Sequence, residues 1–121
     1  MSKRLAIVGS RGYPRADLVF ALIARLQSTT TVVSGGARGV DTWAALAARK
    51  RGLQVQVFEA DWQRFGKSAG YIRNRSIIDS VDGVVAFWDG NSRGTAHAIQ
   101  LARKRGIWLR IYGRHGQIVG K

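Results

Sequence analysis

The sequence predicts an α/β fold: a single Rossmann-like domain with an open parallel five-stranded sheet flanked by helices. Three observations predict it. Five short β-type runs alternate along the chain with helical patterns. Most of these runs are continuously apolar rather than alternating, as parallel strands covered on both faces are. The length, 121 residues with 45% hydrophobic content, is that of one domain able to bury a core. Strand–helix alternation then implies right-handed βαβ units.

In chain order, the strands are expected at Arg4–Val8, Thr31–Ser34, Gln54–Phe58, Gly83–Phe87 and Ile107–Ile111. Between the first two, Leu18, Val19, Leu22, Ile23 and Leu26 recur at helical spacing. Val40, Trp43, Ala44 and Ala47 form a second stripe, and Thr95, Ala98, Ile99 and Ala102 a third. A weaker pattern over Ala69–Ser80 also reads as helix. The sequence Ala-Arg-Lys-Arg-Gly occurs twice, at Ala48–Gly52 and Ala102–Gly106. Cations in a last helical turn oppose the macrodipole and a following glycine ends a helix, so both are read first as helix ends and second as basic patches. Residues 1–112 are taken as the domain and 113–121 as a glycine-rich C-terminal tail, either loose or forming a short extra strand. Trp43 and Trp108 are expected in the core.

Composition narrows the function. No cysteine is present, so disulfides and thiolate zinc sites are excluded, and two histidines make a histidine metal cluster unpromising. No metal and no cofactor is expected. The apolar runs are too short to span a bilayer and the first residues lack the features of a signal peptide, so a cytoplasmic location away from membranes is expected. Twenty Lys and Arg face seven Asp and Glu, a formal net charge of +13, and fifteen of the twenty are arginine. Arginine grips phosphate bidentately, and a surplus of this size points to a polyanionic partner.

In an open parallel sheet, ligands bind beyond the carboxyl ends of the strands. The loops that fall there carry Gly9, Ser10 and Arg11; then Ser34, Gly35, Gly36, Arg38, Gly39 and Asp41; then Arg73, Asn74 and Arg75; then Asp89, Arg93, Gly94 and Thr95. Four loops thus bring glycine and arginine to one edge. Glycine admits a phosphate close to the backbone, helix N-termini offer free N–H groups, and arginine adds a charge-assisted clamp. Neither GxxxxGK[ST] nor GxGxxG occurs, which disfavours a P-loop ATPase and a dinucleotide-dependent dehydrogenase.

The segments GSRGY, SGGARGVDTWAA, RNRSII and DGNSRGTAHAIQLA together resemble the SLOG superfamily, over residues 4–111 and most closely its stand-alone YspA-type branch. That superfamily also takes in the DNA-processing DprA proteins and the LOG phosphoribohydrolases. The resemblance implies a nucleotide or nucleic-acid ligand, and in DprA-like members a basic pocket holds single-stranded DNA. Arg11, Arg38, Arg73 and Arg75 would fall in or beside that pocket, and DprA-like self-association would make this chain a homodimer. LOG enzymes carry GTxxE where this chain has Gly94-Thr95-Ala96-His97-Ala98. Alanine cannot ionise, attack or accept a proton, so Ala98 argues against their mechanism and no catalytic residue is assigned.

Tyr13, Trp62 and Tyr71 are candidates for base stacking, an interaction of about 1–3 kcal/mol per base. Tyr13 is expected to be the more exposed. For Trp62 and Phe65, folding the third loop onto the sheet is an equally good reading. The favoured partner is single-stranded DNA or RNA, because a mononucleotide does not call for +13. The runner-up is a small nucleotide or nucleotide-derived signal in the same cleft, and the third reading is a nucleotide N-glycosidase with an unusual acid.

Overall fold

In the computed structural model, which describes residues 3–120, six strands form one sheet in the order β3-β2-β1-β4-β5-β6. They are β1 (Lys3–Gly9), β2 (Thr30–Ser34), β3 (Gln54–Val57), β4 (Gly83–Phe87), β5 (Trp108–Tyr112) and β6 (Ile118–Gly120). The first five pair in parallel, as the continuous apolar runs require. The sixth corrects the expected count. Gly113–Gln117 turns the chain back, and β6 pairs antiparallel with β5. The turn closes through hydrogen bonds between Gly113 and Gln117 and from Gly116 to Gly113.

The helices are α1 (Ala16–Arg25), α2 (Val40–Lys50), α3 (Trp62–Phe65), α4 (Ala69–Asp79) and α5 (Arg93–Arg105), with a 3-10 turn at Gly66–Ser68. The third loop is therefore partly helical. Asp61 starts α3 by accepting a hydrogen bond from the Arg64 amide at 3.1 Å. Ser92 does the same for α5, with the Thr95 amide at 3.4 Å.

Successive strand residues point to opposite faces, and each face is covered. Ala6, Val8, Val84 and Ala86 pack with Ile77, Ile78, Ala98 and Ile99 of α4 and α5. Ile7, Val32, Val85 and Phe87 pack with Val19, Ile23, Val40 and Ala44 of α1 and α2. The cover is incomplete at one place. Trp108 is 53% exposed, not core, because the face of β5 that it shares with Arg110 lies beyond α2, which packs on β1, β2 and β3. Trp43 is half-buried against the α1–α2 side of the core. No helix among the described residues is long and apolar enough to cross a membrane.

Strand order reverses direction between β1 and β4, whose connections leave to opposite sides. The crevice outside their carboxyl ends is where such a sheet opens a site.

Candidate functional site

A cleft of about 440 Å³ occupies that crevice. Its walls come from all four loops and from the third-loop helices. Val8, Gly9, Arg11 and Gly12 follow β1; Ala37 and Asp41 lead into α2; Trp62, Lys67, Gly70, Tyr71, Arg73 and Asn74 come from α3 through α4; Asp89, Ser92, Gly94 and Thr95 come from the β4–α5 connection. The volume lies in the range of small-ligand sites. The first amides of α2 and α5 have no carbonyl ahead of them in their own helices, and both helices begin at the cleft.

The loop backbones are keyed together. A Cβ on Gly9 would stand 2.6 Å from the Val40 side chain, and one on Gly39 would stand 2.5 Å from the Arg11 carbonyl oxygen. Gly39 also has φ +80°, a conformation L side chains rarely adopt. These two glycines let the first loop close onto the start of α2. Hydroxyls join the first and fourth loops. Ser10 Oγ accepts from the Asp89 amide at 3.1 Å and lies 3.5 Å from Thr95 Oγ1, which lies 3.1 Å from Ser92 Oγ. Ser34 Oγ donates to the Asp41 carbonyl at 2.9 Å and accepts from the Gly36 amide at 3.3 Å.

Asp41 is buried in the wall. Its Oδ2 accepts from the Ala37 amide at 3.3 Å, and its Oδ1 has no hydrogen-bond partner among the described residues. Burial pushes its carboxyl up to about 6, although the Ala37 amide and the charge of Arg73 pull the other way. Arg73 donates to the Gly35 carbonyl and, through Nε, to Asn74 Oδ1 at 3.0 Å. The Asn74 amide then reaches the Gly94 carbonyl at 3.1 Å and His97 Nδ1 at 3.3 Å. Burial and the charge of Arg75 lower His97, so the ring is neutral at pH 7 and Nδ1 accepts from Asn74. Its ring meets Tyr71 edge-on with centroids 4.6 Å apart. At Asp89 burial works to raise the carboxyl, but the amides of Asn91 and Ser92, both at 2.8 Å, outweigh it and hold the group low.

The cleft thus gathers Gly9, Arg11, Asp41, Arg73, Asn74, Asp89, Gly94 and Thr95 of the expected phosphate-binding set, with Trp62 and Tyr71 of the aromatic set. Trp62 is 53% exposed and Tyr71 42%, so the third loop does not fold its tryptophan away. Ser10 and Ser34 are buried behind the wall as loop ties. Gly35 and Gly36 line a smaller adjoining hollow with Arg11, Glu59 and Arg73. Arg38, Arg75 and Arg93 are exposed outside the cleft, and Gly39 acts at the backbone. Tyr13 is a correction. It is 2% exposed, its hydroxyl donates to the Gly113 carbonyl at 2.7 Å and its ring packs edge-on against Phe87. It cannot stack on a ligand. Lys67 lines the cleft and was not among the expected site residues. Its signal was the Gly66-Lys67-Ser68 turn between Trp62 and Tyr71, a cation flanked by two exposed aromatics.

Comparison with known proteins agrees with this architecture. The sequence profile of the YspA, cpYpsA-related SLOG family matches residues 3–65. Gene 61 protein of Mycobacterium phage D29 is 36% identical over 121 residues, covering 92% of this chain and 97% of that protein. DNA processing protein A (DprA) from Streptococcus pneumoniae superposes with a TM-score of 0.77 at 22% identity, over 93% of this chain and 50% of that one. DprA from Helicobacter pylori, described for its single-stranded DNA binding mode, superposes with a TM-score of 0.66 at 23% identity, over 91% of this chain and 65% of that one. The chain spans half of the first of these solved structures and under two thirds of the second, and shares their fold. On its own profile match and its phage relative, the chain belongs to the YspA, cpYpsA-related SLOG family.

Proposed function

We propose that the protein binds single-stranded nucleic acid through the carboxyl-edge cleft, seating one nucleotide inside it and passing the flanking phosphates over the rim. The observation that carries this reading is the meeting of Arg11, Lys67 and Arg73 with the exposed rings of Trp62 and Tyr71 around one opening. Cations interleaved with aromatics are what a strand needs: charge for phosphates and a π-face for any base. Exposed Arg38 and Arg93 lie on the loops that frame the opening, where the next phosphates would pass. The shared fold with DprA, one member of which is described binding single-stranded DNA, supports the same class of ligand.

A second reading has its own observation. Two carboxyls, Asp41 and Asp89, stand in the wall. They offset much of the cleft's positive charge and give a nucleoside hydroxyl or amine something to donate to. A free nucleotide would use such a pocket as fully as a strand would.

Titration of labelled oligo-dT and, in parallel, of nucleoside monophosphates into wild type and Arg11→Ala/Lys67→Ala at two salt concentrations separates the readings. Strand binding through the cleft predicts a loss of about 0.7 in log affinity per log salt for each phosphate neutralised, and a shallower slope in the double variant. Saturable monophosphate binding with an oligonucleotide affinity that the variant does not change would assign the cleft to a free nucleotide.

A further inference from the structure

The cleft does not hold most of the charge. Its walls set Arg11, Lys67 and Arg73 against Asp41 and Asp89. The larger concentration lies at the opposite, amino edge of the sheet. There α2 ends in Arg49 and Lys50, and α5 ends in Arg103, Lys104 and Arg105. The two helices cover opposite faces of the sheet, so their ends straddle its amino edge. A helix C-terminus carries about half a negative charge, and one cation offsets it. Three in one last turn exceed that need. Among the described residues, Arg105 is the one of the five in an ion pair, 3.4 Å from Asp79.

Beside Arg103 at the end of α5 lies the exposed indole of Trp108, resting on Gly83: a Cβ there would stand 3.1 Å from the indole Cε3. The guanidinium of Arg110 lies 5.5 Å from the ring centre. Arg103, Trp108 and Arg110 share a groove of about 450 Å³ with Gly106, Ile107 and Leu109, and among the described residues no carboxylate lines it. Of the nearby acids, Asp79 is taken by Arg105, and Asp82 accepts the Arg4 amide at 2.8 Å. A bare solubilising surface has no use for a half-exposed tryptophan held against a glycine. A basic groove with an exposed ring and no carboxylate among its described lining residues complements a flexible polyanion with π-faces.

We propose that the amino edge is a second single-stranded nucleic-acid site, with Trp108 stacking a base and Arg103, Lys104 and Arg110 holding the adjoining phosphates. It lies at the opposite end of the strands from the cleft and does not depend on the cleft's ligand.

The test is calorimetric titration of tetrameric oligo-dT into wild type, Arg103→Glu/Lys104→Glu and Arg11→Ala/Lys67→Ala, with tryptophan emission followed in wild type and Trp108→Phe. All substituted side chains except Arg11 and Lys67 lie away from the cleft, and circular dichroism checks the fold of each variant. The expected result is two tetramers per wild-type chain and one per Arg103→Glu/Lys104→Glu chain, with affinity at the lost site falling at least tenfold. The salt slope falls by about 1.4, two phosphates at about 0.7 each. Trp108→Phe is expected to lose part of the quenching that oligo-dT causes, and Arg11→Ala/Lys67→Ala is expected to keep that part. If Arg103→Glu/Lys104→Glu binds as wild type in stoichiometry, affinity and slope, the proposal is overturned. A blunt duplex that binds this edge as tightly, with no effect of Trp108→Phe, overturns the assignment to single strands. Loss of a site in the amino-edge variant with none lost in the cleft variant keeps this proposal and removes the cleft reading.

Discussion

Two side chains decide how far the carboxyl edge can be altered. Asp41 titrates near 4 when unfolded and at about 6 when folded. The folded chain holds that proton more tightly, so the group's contribution to stability is full below about pH 4 and is lost as pH rises through 6. Two units correspond to about 3 kcal/mol. Asp41→Asn removes the dependence, and thermal melts from pH 4 to 7 should show wild type losing ground to the variant across that window; parallel curves would mean the carboxyl is not raised. Tyr13 acts on stability alone. Tyr13→Phe removes one of the two hydrogen bonds the Gly113 carbonyl accepts, the Gly116 amide keeping the other, a loss of about 1 kcal/mol in urea unfolding, with ligand binding unchanged. Its burial was illegible in the sequence for a physical reason. Gly12-Tyr13-Pro14 reads as a solvent-facing turn, and the acceptor that draws the hydroxyl inward lies a hundred residues away at Gly113. Asp41 was legible as a site residue from its place in SGGARGVD. Its missing partner at Oδ1 was not, because that depends on how the surrounding loops close over it.

At the scale of elements, helix ends and strand edges carry the testable content. Gly39 and Gly106 both have positive φ, +80° and +73°, but differ in surroundings. Nothing lies within 4 Å of a Cβ at Gly106, so Gly106→Ala should cost about 1 kcal/mol, the ordinary penalty of a left-handed helix end. At Gly39 the same change adds a clash with the Arg11 carbonyl, and the loss should exceed about 2 kcal/mol. Equal urea midpoints for the two variants would mean that the first loop yields freely. The parallel strands were readable to within a residue or two, because most are short apolar runs, with β3 alternating Gln and Val, bounded by glycine or polar turns. The sixth was legible only as one of two readings of the tail: Ile118–Gly120 is three residues long and forms because the Gly113–Gln117 turn lays it against β5. Its effect is protective. Truncation after Gly113 would uncover the part of the β5 backbone edge that β6 pairs, and light scattering should then report self-association beyond that of the full chain.

For the molecule as a whole, the sheet separates two chemical environments. One end of the strands carries a concave site where carboxyls and cations are mixed, and the other a basic groove that no acid lines among the described residues. The sequence made the excess charge plain, and the two Ala-Arg-Lys-Arg-Gly runs read from it first as helix ends and only second as basic patches. In three dimensions each run sits where its helix has returned to the start of the sheet, and the α5 run meets the exposed ring of Trp108. Trp108 was assigned to the core by its apolar strand, and is exposed because helical cover on that face stops short of β5. The close seating of Gly9 on Val40 and of Gly39 on the Arg11 carbonyl has one more consequence. Loops fixed by backbone contact have little freedom left to lose, so a ligand meets a cavity already in its final shape. Association should then run at the rate set by diffusion and charge, with no slow closing phase in stopped-flow traces. Ligands that differ in affinity should differ almost wholly in how long they stay.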